Sequence, residues 1–436
     1  MLPRASRGTR VMFRLKEGLL LGSATAAAQI EGGCDDHNWA RFSAEGKIKD
    51  GSDIRRASGH FERWREDIDL MASMGLKIYR LGIEWSRIEP ERGSFSEEAI
   101  ARYREEILYM RSLGIEPLLT LHHFTHPLWF EDMGGFTSGE SVGIFMEFVR
   151  FVIERLGDTV SEYITINEPN VYCTNSLFYG IWPPEKKSIG ALISAFSNMT
   201  ACHVMAYRYI HKRRSEMGFS DTRVSFANHL RVFEPKSKRN IFHRISARLT
   251  DWLFQGAITR AMMTGRCALP VLKRRGVTRG RYYDFIGINY YSRSTVTGIR
   301  DGVREGAPKN DLGWEIYPEG LIEISNKMTK KYSAPVYVTE NGTCDNKDSF
   351  RSRFIYDQLK LISETENGIE RYYHWSFMDN FEWKEGESAR FGLVHVDYET
   401  GERTVKKSGE LYSLIISEGG VSEEAYEKYV KGEEYK

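Results

Sequence analysis

No stretch of this chain approaches the roughly 20 uninterrupted apolar residues that a membrane-spanning helix needs, and neither sign of charge is in excess. The 61 Lys and Arg against 60 Asp and Glu leave a net charge of +1, which supplies no long-range field for nucleic acid or an anionic membrane. Local basic runs at Lys212 to Arg214, Lys236 to Arg239 and Lys273 to Arg275 read as solvated helix and loop surface. No G-x-G-x-x-G or G-x-x-x-x-G-K-[ST] string follows a strand, so nothing points to a nucleotide site. The five cysteines, Cys34, Cys173, Cys202, Cys267 and Cys344, are scattered and odd in number, without C-x-x-C or Cys/His spacing. That speaks against a disulfide scaffold and a structural zinc, and for a reducing, cytoplasmic setting. No metal and no cofactor is expected, and no residue pattern assigns an oligomeric state.

The amino terminus imitates a signal peptide: Arg4, Arg7 and Arg10 precede Gly18-Leu19-Leu20-Leu21-Gly22 and a small-residue stretch through Ala28. Its apolar run is far shorter than the roughly 7–15 residues of an h-region, and Glu17 interrupts the approach. It reads as a first strand. No linker divides the 436 residues, and the expected organisation is a disordered leader over 1–12, one domain over 13–425 and a charged tail over 426–436.

What is present is a recurring alternation of apolar β-type runs with helical segments. Helices close on Gly just before the next run, as at Met74-Gly75 before Leu76 and Leu113-Gly114 before Ile115. The predicted strands are Leu19 to Ser23, Lys77 to Ile83, Pro117 to Leu121, Tyr163 to Asn167, Val224 to Asn228, Phe285 to Asn289, Val336 to Thr339 and Tyr372 to Ser376. Eight strands with helix-length separations predict an α/β fold, a single closed (β/α)8 barrel. The surplus length falls in loops over the carboxyl ends of the strands, with 32–60, 122–140 and 170–195 the clearest. Active sites of such barrels lie on that face.

The strand ends carry Gln29, Arg80, His122, Asn167-Glu168, Asn228, Asn289-Tyr290-Tyr291, Glu340 and Trp375, with Glu382 and Trp383 just beyond. Two carboxylates, Glu168 and Glu340, delivered from two distant strand ends are the minimal equipment for cleaving a glycosidic bond. The 13% aromatic content suits the apolar C–H faces of sugar rings, although aromatics more often serve the core.

The strings AAAQIEGG, YRLGIEWSRIEP, TLHHF, TINEPN, INYYSR, VTENG, HWSFMDNFEWKEG and RFGLVHVDYETGERTVKKS resemble the signature blocks of glycoside hydrolase family 1. These are the β-glucosidase-type retaining exo-glycosidases, and the blocks run in the family's order from about residue 14 to residue 415. The resemblance implies the (β/α)8 fold, Glu168 as general acid/base and Glu340 as nucleophile, about 5–5.5 Å apart as in retaining enzymes. It also implies Arg80 and Tyr291 flanking Glu340 and favouring its ionised form, with Glu168 the partner that holds the proton. Gln29, His122, Asn167 and Glu382 match ligands of the glycone hydroxyls, with Trp383 beside them and Trp375 as stacking platform. The expected partners are small-molecule β-glucosides and oligosaccharides.

Departures from the family pattern concern the leaving-group side. His123 stands where many members carry Trp in a His-Trp pair, and the regions Phe233 to Arg281 and Ser294 to Gly313 look short. A 6-phospho-β-glycosidase is disfavoured because Glu382, Ala389 and Phe391 occupy the phosphate-pocket positions. A thioglucosidase is disfavoured by Glu168 where Gln is common. A silent sugar-binding barrel has no need of Glu340, while the share of transglycosylation is left open.

Overall fold

The structure, a computed structural model, describes residues 10–298 and 300–436. Eight parallel strands close into a barrel: β1 (Leu20–Ala24), β2 (Ile78–Gly82), β3 (Glu116–Thr120), β4 (Glu162–Asn167), β5 (Arg223–His229), β6 (Ile286–Tyr290), β7 (Val336–Asn341) and β8 (Ile369–Trp375). Each matches a predicted strand to within a few residues. Parallel strands covered on both sides are largely apolar; all five residues of Ile78–Gly82 and all six of Val336–Asn341 are buried, and the polar exceptions, Arg80 and Thr339 to Asn341, bond to one another or to neighbouring strands.

The helices between the strands form the outer ring, and their ends are written in local chemistry. Ser96 caps Glu97–Ser112 by accepting from the Ala99 amide, with Glu97 and Glu98 in the positive first turn. Gly75 and Gly114 take φ of 80° and 77°, the left-handed stop that a side chain would resist. The helix Ile189–Glu216 is long and apolar enough to cross a membrane by length and composition. It lies instead against the barrel, with Ala195 to Val204 buried, including Asn198, Thr200 and His203.

The expected leader spans the boundary of the described residues. Residues 1–9 lie outside them, whereas Val11–Arg14 forms a strand antiparallel to Gly420–Ser422, so Val11 and Met12 belong to the fold and not to a disordered leader. The charged tail is packed as well: Glu433 is buried and bonds the Arg353 amide at 2.9 Å, and the Tyr435 hydroxyl donates to Asp357 at 2.8 Å. Lys436 pairs with Asp311.

The long loops meet above the carboxyl face in an aromatic wall. Trp39 from the first contacts Trp182 (5.2 Å between ring centroids) and Trp383 (4.9 Å), and Phe124 meets both at 5.1 Å. Opposite them, Val232–Pro235, Arg293–Thr297 and Arg300–Gly302 make a small three-stranded sheet.

Candidate active site

At the carboxyl ends of the strands lies a cleft of about 340 Å³, lined by Glu168, Tyr291, Glu340, Trp375, Glu382 and Trp383 among others. Both Glu168 and Glu340 are almost fully buried, 5% and 3% exposed.

Glu340 sits within β7, and each of its oxygens has a donor. Arg80 Nη1 donates to Oε1 at 2.6 Å and the Tyr291 hydroxyl to Oε2 at 2.7 Å. Arg80, from β2, is fully buried, and its Nη2 donates to Asn167 Oδ1 at 2.7 Å. Asn289 at the end of β6 donates both to Asn167 Oδ1 (3.0 Å) and to Glu168 Oε1 (2.8 Å). A continuous chain, Glu340–Arg80–Asn167–Asn289–Glu168, thus ties the two carboxylates into one buried network.

Glu168 departs from the strand at φ 42°, ψ 57°, a left-handed conformation that costs a non-glycine residue about 1–3 kcal/mol. The turn has a use. Successive residues of an extended strand point to opposite faces, yet Asn167 and Glu168 must both serve the cleft, and the turn at Glu168 brings its carboxyl round. Phe124 (φ 66°) and Trp383 (φ 48°) show the same conformation on the same cleft. The protein partners of Glu168, Asn289 and His229 (3.3 Å), both lie on Oε1.

Two opposing influences act on Glu340. Burial pushes its carboxyl up, Arg80 and the Tyr291 hydroxyl favour the ionised form, and Glu168 adds to the upward push, with the result at about 7. Arg80 and Tyr291 act in the expected direction, and desolvation, the largest contribution, opposes them. Glu382, part-open to the cleft, is pushed up to about 8 by burial and by Glu340, against hydrogen bonding from Asn380.

Most predicted residues converge here. His122 is buried, stacked parallel to His126 and edge-on to Phe136, and its Nδ1 has no partner among the described residues. His123 lines the cleft, with Nε2 2.9 Å from Asn167 Nδ2 and its ring stacked on Trp383 at 5.8 Å. Asn228 points outward to Thr259 (2.8 Å) in the surrounding helix, and the next residue, His229, faces the cleft. Gln29 is buried beneath Glu382, donating to the Phe381 carbonyl at 2.7 Å and to Glu382 at 3.4 Å, while its Oε1 has no partner among the described residues. His229 is not singled out from the sequence, and Asn289 is named there only as a strand-end residue without a role. The strand-end position was the only available signal for either, and it does not say which of two neighbouring polar residues turns inward.

The profile of a family described as "Glycosyl hydrolase family 1" matches residues 12–421. The chain belongs to glycosyl hydrolase family 1. It is 32% identical to β-glucosidase A of Thermotoga maritima over 94% of this chain and 99% of that protein. Among solved structures, the β-glycosidase from Pyrococcus horikoshii superposes with a TM-score of 0.86 at 34% identity, covering 96% of this chain and 98% of that one. The β-glucosidase from Thermotoga maritima in complex with glucoimidazole gives 0.85 at 30% identity, covering 94% and 99%. With the eight-stranded barrel and the paired carboxylates, these place this family 1 chain among glycoside hydrolases of the β-glucosidase type.

Proposed function

We propose that the protein is a retaining exo-β-glycosidase that releases terminal non-reducing β-D-glucosyl residues, and β-galactosyl and β-fucosyl residues beside them, through a covalent glycosyl-enzyme intermediate. The observation that carries this reading is the pairing of two buried carboxylates with unequal surroundings in one cleft: Glu340 held on both oxygens by donors, Glu168 on one. A carboxylate whose lone pairs are aimed by Arg80 and Tyr291 suits in-line attack on an anomeric carbon. The second oxygen of Glu168 is available to protonate the departing oxygen and then to deprotonate the water that releases the sugar.

Asn167, oriented by Arg80, Asn289 and His123, suits the 2-hydroxyl, a contact that strengthens as the oxocarbenium character grows. The unpartnered Gln29 Oε1 and the Glu382 carboxyl offer acceptors to the outer hydroxyls. Glucose and galactose differ only at the 4-hydroxyl, and an acceptor pair such as Gln29 and Glu382 can bond it in either orientation. Trp375 supplies an apolar floor. Five free cysteines, three of them buried, fit a reducing, cytoplasmic setting.

Initial rates on aryl β-glucoside, galactoside, fucoside, xyloside and mannoside, with and without a 6-phosphate, test this directly. The unphosphorylated glucoside is expected to turn over and its 6-phosphate to be rejected, because the Glu382 carboxyl, neutral or ionised, gives a phosphate no positive partner at that place. Turnover confined to 6-phosphosugars, or to none of the panel, would sink the reading.

The position of Glu340 near 7 makes a second prediction. Attack requires the ionised carboxylate, so kcat/KM falls as pH drops through the Glu340 titration. The acid limb is expected well above the 4.5 of an ordinary Glu, toward 7. Tyr291→Phe removes a donor that favours the charged form and moves the limb to higher pH. An acid limb at 4.5 in the parent would show that Arg80 and Tyr291 outweigh burial.

A further inference from the structure

The near-neutral net charge conceals a segregation. Residues 236–275 hold ten Lys or Arg and a single acid, Asp251, a net of +9. The remaining chain holds 51 basic and 59 acidic residues and is therefore at −8. Ion pairs are abundant elsewhere, yet among the described residues none of these ten cations makes one, and Asp251 is itself engaged by Lys327 at 3.0 Å.

The same segment carries an exposed apolar face. The helix Ile241–Asp251, capped by the Asn240 side chain, leaves Ile241, Phe242, Ile245 and Leu249 exposed, Phe242 to 74%. At 100° per residue these four span about 100° of the helix circumference, turned away from Ala247, the buried residue of this helix. Arg244 and Arg248 lie along one edge of that stripe. Leu253 extends it, and Trp252, whose Nε1 donates to the Leu269 carbonyl at 2.9 Å, brings up Leu269, 66% exposed. Lys236, Lys238 and Arg239 stand before the helix, and Lys273 to Arg275 follow Leu272.

We propose that this surface docks the protein on an anionic lipid bilayer, the Ile241–Leu253 stripe entering the boundary between headgroups and acyl chains and the surrounding cations meeting the headgroups. An exposed helix with large apolar side chains on one side and Arg beside them is the composition of an interfacial helix, and clustered Lys and Arg gain from an anionic leaflet. Two other occupants fit less well. A second copy would set +9 against +9, and a nucleic acid would satisfy the cations while leaving five large apolar side chains in water. Docking has a geometric consequence. Phe254 packs edge-on to His229 at 6.1 Å, and His229 contacts Glu168, so the cleft opens beside the docked surface.

Co-sedimentation of the full chain with vesicles of phosphatidylglycerol and phosphatidylcholine, against pure phosphatidylcholine, tests the proposal. Binding to the anionic vesicles is expected to be at least about tenfold stronger and to weaken in high salt. The pairs Phe242→Asp with Leu249→Asp, and Arg244→Glu with Arg248→Glu, should each lose it by a similar factor. All four positions are exposed and outside the cleft, so hydrolysis of a soluble aryl glucoside should be unchanged and reports the fold. No binding to anionic vesicles would overturn the proposal, as would binding indifferent to Phe242→Asp with Leu249→Asp. So would a dimer in light scattering that this pair dissociates, or a stronger affinity for duplex DNA than for the vesicles.

Discussion

Glu340→Ala is expected to lose at least about 10⁴-fold in kcat on every glycoside and to regain much of it with azide. In the proposed mechanism the nucleophile enters from the face opposite the leaving group, and water later displaces it with a second inversion. Without the carboxylate the first step has no nucleophile, but the vacated space lies at the point to which Arg80 and Tyr291 are aimed. A small anion there meets the same guanidinium and hydroxyl, and Glu168 remains to protonate the leaving oxygen. The product is then an α-glycosyl azide, formed by a single inversion, and an aryl glycoside with a good leaving group shows it best. Arg80 keeps Asn167, Thr120 and the Thr339 carbonyl as partners, so the variant should fold and its circular dichroism should match the parent. Retained activity would remove Glu340 from the nucleophile's role, and a β-azide would place the missing group on the other face.

The barrel was legible because its physics is local and repeated. Each strand is an apolar run, and the helices before two of them stop on glycines with positive φ. The carboxylates were legible for a related reason, since residues at the carboxyl end of a barrel strand face the mouth. What escaped the sequence was orientation beyond the last hydrogen-bonded residue. At Leu121-His122-His123-Phe124 the chain has left β3, and the bend completed by Phe124 at φ 66° brings His123 to the cleft lining beside Trp383. Asn228 and His229 pose the same problem at the end of β5. Electrostatics escaped for a different reason: a sum over the chain reports +1 and cannot show that a +9 segment faces a −8 remainder. The carboxyl-terminal residues look like a charged tail in isolation, but Glu433, Tyr435 and Lys436 each meet a partner far away in sequence.

Glu168→Gln separates the two steps that the proposed mechanism assigns to one residue. Glutamine keeps the shape, and its side-chain oxygen can still accept from Asn289, but it can neither donate an acidic proton nor take one from water. For an alkyl glucoside or a disaccharide, whose leaving oxygen must be protonated, the first step should slow by about 10²–10⁴-fold, the range of general acid catalysis. For an activated aryl glucoside, whose phenolate leaves unaided, the first step should be nearly intact. The glycosyl-enzyme then accumulates, because the water that should release it has lost its base. The expected record is a burst of phenolate equal to the enzyme concentration, a slow steady state and a low KM. Azide needs no base, so it should restore turnover on the aryl substrate and yield the β-glycosyl azide, the opposite anomer to that from Glu340→Ala. Equal losses on alkyl and aryl substrates, with no burst, would mean that Glu168 acts by position or charge alone.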